Sequence, residues 1–189
     1  MFAKAKRLSS GALLEAGLIS LIICALFLGC ATPPKEFNPN IMGPQMIVEP
    51  ETIRLGVATL KDTPIVFRGK GFQPGDSVFV ELLGVKKGDQ TVNVPVADAN
   101  VDKEGYFTAK VETLVKVSEL LRAELGSNKE METIIIITQP PISEGTYTAK
   151  ATSMEADNSA ECQLVVSGPN ALDKFKDWLG GVLGKIVKK

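Results

Sequence analysis

Not one of the 189 residues is a histidine. That absence removes the commonest general base, the commonest metal ligand and the usual partner of a serine or cysteine nucleophile. The chain therefore reads as a binding or structural protein rather than an enzyme, and no small-molecule substrate is evident. Cysteine is nearly missing too. Of the three, Cys24 and Cys30 belong to the N-terminal apolar region and Cys162 alone falls in the body, so no intrachain disulfide is expected. There is no basic face. The 21 lysines and arginines are interspersed with 22 acids and aromatics make up only 6% of the chain, which argues against a nucleic-acid partner.

What is present begins with Lys4, Lys6 and Arg7, followed by an almost uninterrupted apolar segment from Ala16 to Gly29. It falls short of the roughly 20 apolar residues of a spanning helix and matches the h-region of a cleaved signal peptide, residues 1–29. The closing residues, Leu26-Phe27-Leu28-Gly29-Cys30, resemble the lipobox of bacterial lipoproteins. The resemblance implies that the Cys30 thiol receives a diacylglycerol and that the freed amine is acylated. Two or three chains would hold firmly, because each buried methylene contributes about 0.8 kcal/mol and a single chain binds only marginally. Ala31 follows the cysteine. By similarity to enterobacterial lipoproteins, a residue other than aspartate there implies the outer membrane, so the expected location is the cell envelope, with the membrane and an envelope protein as partners.

Residues 30–45 carry four prolines and little apolar periodicity, the composition of a tether. From residue 46 to 167 the text changes to short runs of valine, isoleucine, threonine and phenylalanine broken by glycine, proline, asparagine and aspartate, an all-β signature. Pro50 lacks a ladder donor and splits the first strand, favouring an edge or a switch between sheets. Pro64 to Gly69 reads as the next strand. Gly69 to Asp76 supplies turn chemistry, after which Val78, Val80 and Leu82 alternate inward. Pro95 marks 91–96 as an edge strand. The 98–105 segment is expected to turn into a strand at Tyr106, the two strands forming a hairpin. Leu114 to Leu125 has helical spacing and predicts a short inserted helix. The unbroken apolar run Ile134 to Ile137 predicts a central strand covered on both faces.

The Gly69-Lys70-Gly71-Phe72-Gln73-Pro74-Gly75-Asp76 turn is similar to that of bacterial immunoglobulin-like and IPT/TIG-type modules, and Tyr147 near the start of a late strand resembles the tyrosine corner of immunoglobulin-like folds. The resemblance implies an immunoglobulin-like β-sandwich of about seven to eight strands. It also implies that the Tyr147 hydroxyl bonds back to the preceding loop.

Two groups of residues are candidate sites. Asp98, Asn100, Asp102 and Glu104 place oxygen-bearing side chains at every second position, as calcium loops do, and suggest calcium as a cofactor of a calcium-dependent binding protein. Lys103 and Ala109 stand where an EF-hand loop has its glycine and glutamate, so a hairpin turn closed by Asx hydrogen bonds is the competing expectation. The second group is C-terminal. Residues 168–189 predict an amphipathic helix capped by Asn170, with Leu172, Phe175, Leu179, Val182, Leu183 and Ile186 on one stripe and Trp178 beside it. Glycines 180, 181 and 184 weaken that helix, so an apolar surface is expected to order it: the membrane interface, a partner, or the sandwich itself. A lipid-anchored binding or scaffold module follows, with a purely structural envelope lipoprotein as the alternative.

Overall fold

The computed structural model describes residues 35–189. The expected signal segment, residues 1–29, and Cys30 lie outside the described residues. Eight strands form two sheets that face each other across one apolar core. The smaller sheet joins β1 (Gln45–Glu49), β3 (Val66–Lys70) and β6 (Tyr106–Lys110), all antiparallel. The larger runs in the order β2 (Thr52–Arg54), β10 (Ser159–Ser167), β9 (Gly145–Ser153), β4 (Ser77–Lys87), β5 (Gln90–Asn100). This is an all-β immunoglobulin-like sandwich. Period-two alternation builds it: Val78, Val80 and Leu82 of β4 are fully buried in the same core as Phe67 and Ala109 of the other sheet.

Pro50 does mark a switch between sheets. β1 pairs antiparallel with β3, whereas β2, two residues later, runs parallel to β10 with Thr52 opposite Val165. Gly71 and Gly75 adopt the positive φ expected of the turn, at 78° and 84°. Gly69 serves otherwise: it sits in β3 under the Phe107 ring, where an added Cβ would lie 2.0 Å from Cε1. The tyrosine corner is present, with the Tyr147 hydroxyl donating to the Ser143 carbonyl at 2.8 Å.

Four expectations are corrected. β5 is an edge strand, but it extends to Asn100 and forms no hairpin with β6, because the chain crosses from one sheet to the other between them. The inserted helix is shorter than 114–125: α2 (Thr113–Val115) runs into one π-helical turn, Lys116–Leu120, and Leu125 already belongs to β7 (Ala123–Ser127). The Ile134–Ile137 run is central only to a third, three-stranded sheet, in the order β11 (Ile186–Lys188), β8 (Thr133–Ile137), β7, and Ile136 and Ile137 remain half-exposed. There β8 pairs with β7 and, in parallel, with β11. Finally, the described part of the 30–45 tether lies against the domain. The Lys35 amide donates to Glu49 at 2.9 Å, its ammonium pairs with Glu51, and the Phe37 ring packs 6.3 Å from Tyr106.

Candidate functional site

Between β2 and β3 the chain makes a six-residue helix, α1 (Val57–Asp62), which buries Val57 and Leu60. Its N-cap is Gly56, which has no side chain to satisfy the first amides. Those amides are satisfied from far along the chain. Asp177 accepts from the Val57 and Ala58 amides at 3.0 and 2.8 Å. At the other end the buried Lys116 ammonium donates to the Lys61 and Thr63 carbonyls at 2.7 and 2.9 Å. A carboxylate at the N-terminus and an ammonium at the C-terminus both complement the helix dipole. Burial pushes the Lys116 pKa down, and the nearby Asp62 and Glu112 carboxylates only partly oppose it.

Asp177 belongs to α3 (Ala171–Val182), the C-terminal helix. Asn170 caps it as the spacing predicts: its side chain accepts from the Asp173 amide at 2.8 Å while Asp173 accepts from the Asn170 amide at 3.0 Å. Asp173 also accepts from Arg54 Nε at 2.8 Å and from the Thr59 hydroxyl at 2.7 Å, and is only 1% exposed. Burial alone would raise its pKa. The bonds from Thr59, Asn170 and Arg54 outweigh burial and hold the carboxyl below its ordinary 3.8.

The helix is thus docked by its acids and not by its apolar stripe. At about 100° per residue, Asp173, Asp177 and Gly180 share the inward face, and the apolar residues from Trp178 round to Leu183 span an arc of about 140° on the opposite side. Phe175, Trp178, Val182 and Leu183 are 56–64% exposed, Leu179 is 40% exposed, and Phe175 and Trp178 stack at 5.8 Å. Lys174 and Lys176 border the arc on either margin. Sequence reasoning identified these apolar residues and missed the role of the acids. A carboxylate pair four residues apart, opposite the stripe, was the available signal.

The sequence expectation is corrected beyond residue 182. Ile186 is not on the helix: it lies in β11 opposite Ile135 and against Gly180, where an added Cβ would meet it at 2.6 Å. Gly184, at φ +68°, makes the turn that sends the chain back.

Between α3 and the body lies a groove of about 940 Å³. Leu55, Val57, Leu121, Ile137, Pro140 and Pro141 of the body line it, together with Trp178, Gly181 and Val182 of α3. Lys174, Lys188 and Lys189 border it. The volume lies at the upper end of the ~300–1,000 Å³ typical of ligand sites, and the lining is mainly apolar as such sites are.

The 98–104 carboxylates are not brought together. Asp98 and Asn100 sit on β5, and Asn100 accepts from the Ser77 hydroxyl at 2.9 Å. Asp102 alone closes a turn, accepting from the Glu104 and Tyr106 amides at 3.0 and 2.8 Å, and Glu104 is exposed. Among the described residues no group of three or more acids or cysteines is placed to hold an ion. A quite different acid, Asp76, is buried in the loop before β4. Burial would raise its pKa, but the amides of Ala156, Ser77 and Glu155 hold it low. Cys162 is half-buried on β10, and burial pushes its thiol up to about 12.

Neither a family model nor a curated protein matches the chain. Among solved structures it is similar over 66% of its length to macromomycin, at 15% identity and a TM-score of 0.37, covering all of that chain. It is likewise similar to a Listeria innocua β-glucosidase, at 12% identity and a TM-score of 0.35, where it spans 16% of the enzyme. The CARDB domain of a Pyrococcus furiosus protein in complex with two metal ions is matched at 14% identity and a TM-score of 0.25, with 91% of that chain covered. These likenesses bring no ligand or activity to this chain. No helix among the described residues is long and apolar enough to cross a membrane.

Proposed function

We propose that the chain is an exported, lipid-anchored envelope protein, held through Cys30, whose sandwich is a non-catalytic binding module that rests on the membrane surface by the outer face of α3. The observation that carries this reading is the orientation of that helix. Its acids, Asp173 and Asp177, are committed to Arg54, Thr59 and the first amides of α1, so its solvent side presents only apolar residues bordered by lysines. A helix of that make-up lies in the headgroup plane of an anionic bilayer, and a second contact adds to the affinity of a lipid anchor.

A non-catalytic role is supported by the chemistry of the groups that are unusually placed. Lys116 ties down helix carbonyls, Asp76 and Asp173 are saturated by hydrogen bonds, and Cys162 stays protonated at neutral pH, so each serves the fold.

Two measurements test the reading. The N-terminal peptide of protein extracted from membranes should begin at Cys30 and carry acyl chains, and Cys30→Ser should abolish processing and lipid attachment. The unlipidated chain should still float with phosphatidylglycerol vesicles, and Phe175→Glu with Leu179→Glu should leave it at the bottom of the gradient. Equal flotation of that variant would remove the role given to α3.

A further inference from the structure

We propose that the groove beside Gly181 receives the hydrocarbon tail of a single-chain anionic amphiphile taken from the bilayer surface, an inference that rests on the membrane-facing reading of α3. Four observations lead to it.

The groove wall offers little to a polar ligand. Asp177 is engaged by the Val57 and Ala58 amides, the Thr138 hydroxyl donates to the Arg122 carbonyl at 3.0 Å, and Gln139 is bonded to the Arg122 guanidinium. The remaining lining is aliphatic apart from Trp178 and the bordering lysines. A hydrocarbon chain fits such a surface, because removing apolar area from water is its main source of affinity.

The border is cationic. Lys174, Lys188 and Lys189 enter no ion pair among the described residues, and Asp177, the acid in the lining, already bonds to backbone amides. An anionic headgroup is therefore favoured over a neutral or cationic one.

Gly181 has no task within the fold. A glycine inside a helix is destabilising relative to alanine. Its neighbour Gly180 is explained by Ile186, which an added Cβ would strike at 2.6 Å. A Cβ on Gly181 would meet only the Ile186 carbonyl oxygen, at 3.8 Å, and the backbone there is ordinary helix. The space left by the missing side chain belongs to the groove.

The groove is also continuous with the outer face. Trp178 and Val182 line it and lie on the exposed apolar arc as well, so a tail can pass from the bilayer surface into the groove without crossing a polar strip.

Trp178 is the single tryptophan of the chain and so reports directly on occupancy. Dodecanoate, below its micelle concentration, should shift Trp178 emission saturably in the chain from residue 30 onward carrying Cys30→Ser. Dodecyltrimethylammonium should bind about tenfold more weakly or worse, a loss of order 1.4 kcal/mol. Gly181→Phe should abolish the dodecanoate response, with Gly181→Ala weakening it less. A triple Lys174→Glu, Lys188→Glu, Lys189→Glu variant should weaken dodecanoate several-fold even if Gly181→Phe proves unstable.

Flotation with phosphatidylglycerol vesicles separates the two ideas, since Gly181→Phe leaves Phe175 and Leu179 untouched. Flotation together with an unsaturable dodecanoate response, or one unaffected by Gly181→Phe and the lysine variants alike, overturns the groove proposal and spares the membrane reading. A dimer disrupted by Gly181→Phe and indifferent to dodecanoate would assign the groove to a second copy and overturn the proposal too. Loss of flotation with a saturable, Gly181-dependent response would sink the membrane reading and leave the amphiphile site standing as a site for free amphiphile.

Discussion

Gly56 lies so close beneath Asp173 that a β-carbon added to it would stand 2.6 Å from the aspartate Cβ. The backbone of Gly56 is ordinary extended chain, at φ −69°, so the glycine is required by this approach and not by its conformation. It lets the α3 acids reach α1, and through that contact the apolar arc of α3 is turned outward.

Gly56→Ala should therefore push α3 away from α1. Overpacking of this kind costs about 1–3 kcal/mol. The loss should appear in urea denaturation, accompanied by faster amide exchange at Val57 and Ala58, whose hydrogen bonds to Asp177 depend on the docked helix. Unchanged exchange at those two amides would show that the helix tolerates the extra carbon.

Acid should weaken the fold through Asp173 and Asp76. Both carboxyls are held below their ordinary 3.8 in the folded chain, so the unfolded chain binds protons more tightly. Their contribution is complete above the unfolded value and is lost as pH falls through the depressed folded values. Melting followed from pH 6 to pH 2 should show a midpoint falling most steeply below pH 4, and Asp173→Asn should lower the plateau while flattening that fall.

Tyr147→Phe removes the hydroxyl that reaches the Ser143 carbonyl and should cost about 0.5–1.5 kcal/mol. The ring remains in the core, so the denaturant slope should be unchanged. A neutral substitution would mean that water replaces the bond.

Cys162 should resist thiol reagents at pH 8 in the native protein, because its pKa of about 12 leaves almost no thiolate. Reaction should follow global unfolding. Fast labelling of the folded chain would contradict the burial seen on β10.

Millimolar calcium should leave the melting midpoint where it was. Asp102 already accepts two backbone amides, and Asp98 and Asn100 lie on the exposed edge strand rather than in a loop. A rise in midpoint that is lost in Asp102→Ala would restore the calcium reading of 98–104.

Much of the sandwich is legible in the chain because its information is local. Side chains alternate across a strand, so Val78, Val80 and Leu82 announce a buried face wherever the strand goes. Pro50 cannot donate to a ladder, and Tyr147 needs only a carbonyl four residues back. The same local rules misjudge the 98–105 region, since alternating acids read equally well as a loop or as the outer face of an edge strand.

The site was legible only in part. Helical periodicity identifies the apolar stripe from Leu172 to Leu183, but it states only that one face avoids water and leaves open which surface meets it. Tertiary structure decided that. Asp173 and Asp177 find partners more than 110 residues away, so the helix docks by its polar side, and Ile186 leaves the helical register to pair with β8. Composition and pattern determined a histidine-free sheet protein, because those properties reside in single residues and their spacing. Which way α3 faces, and the groove that its docking creates beside Gly181, depended on contacts between segments that sequence spacing does not relate.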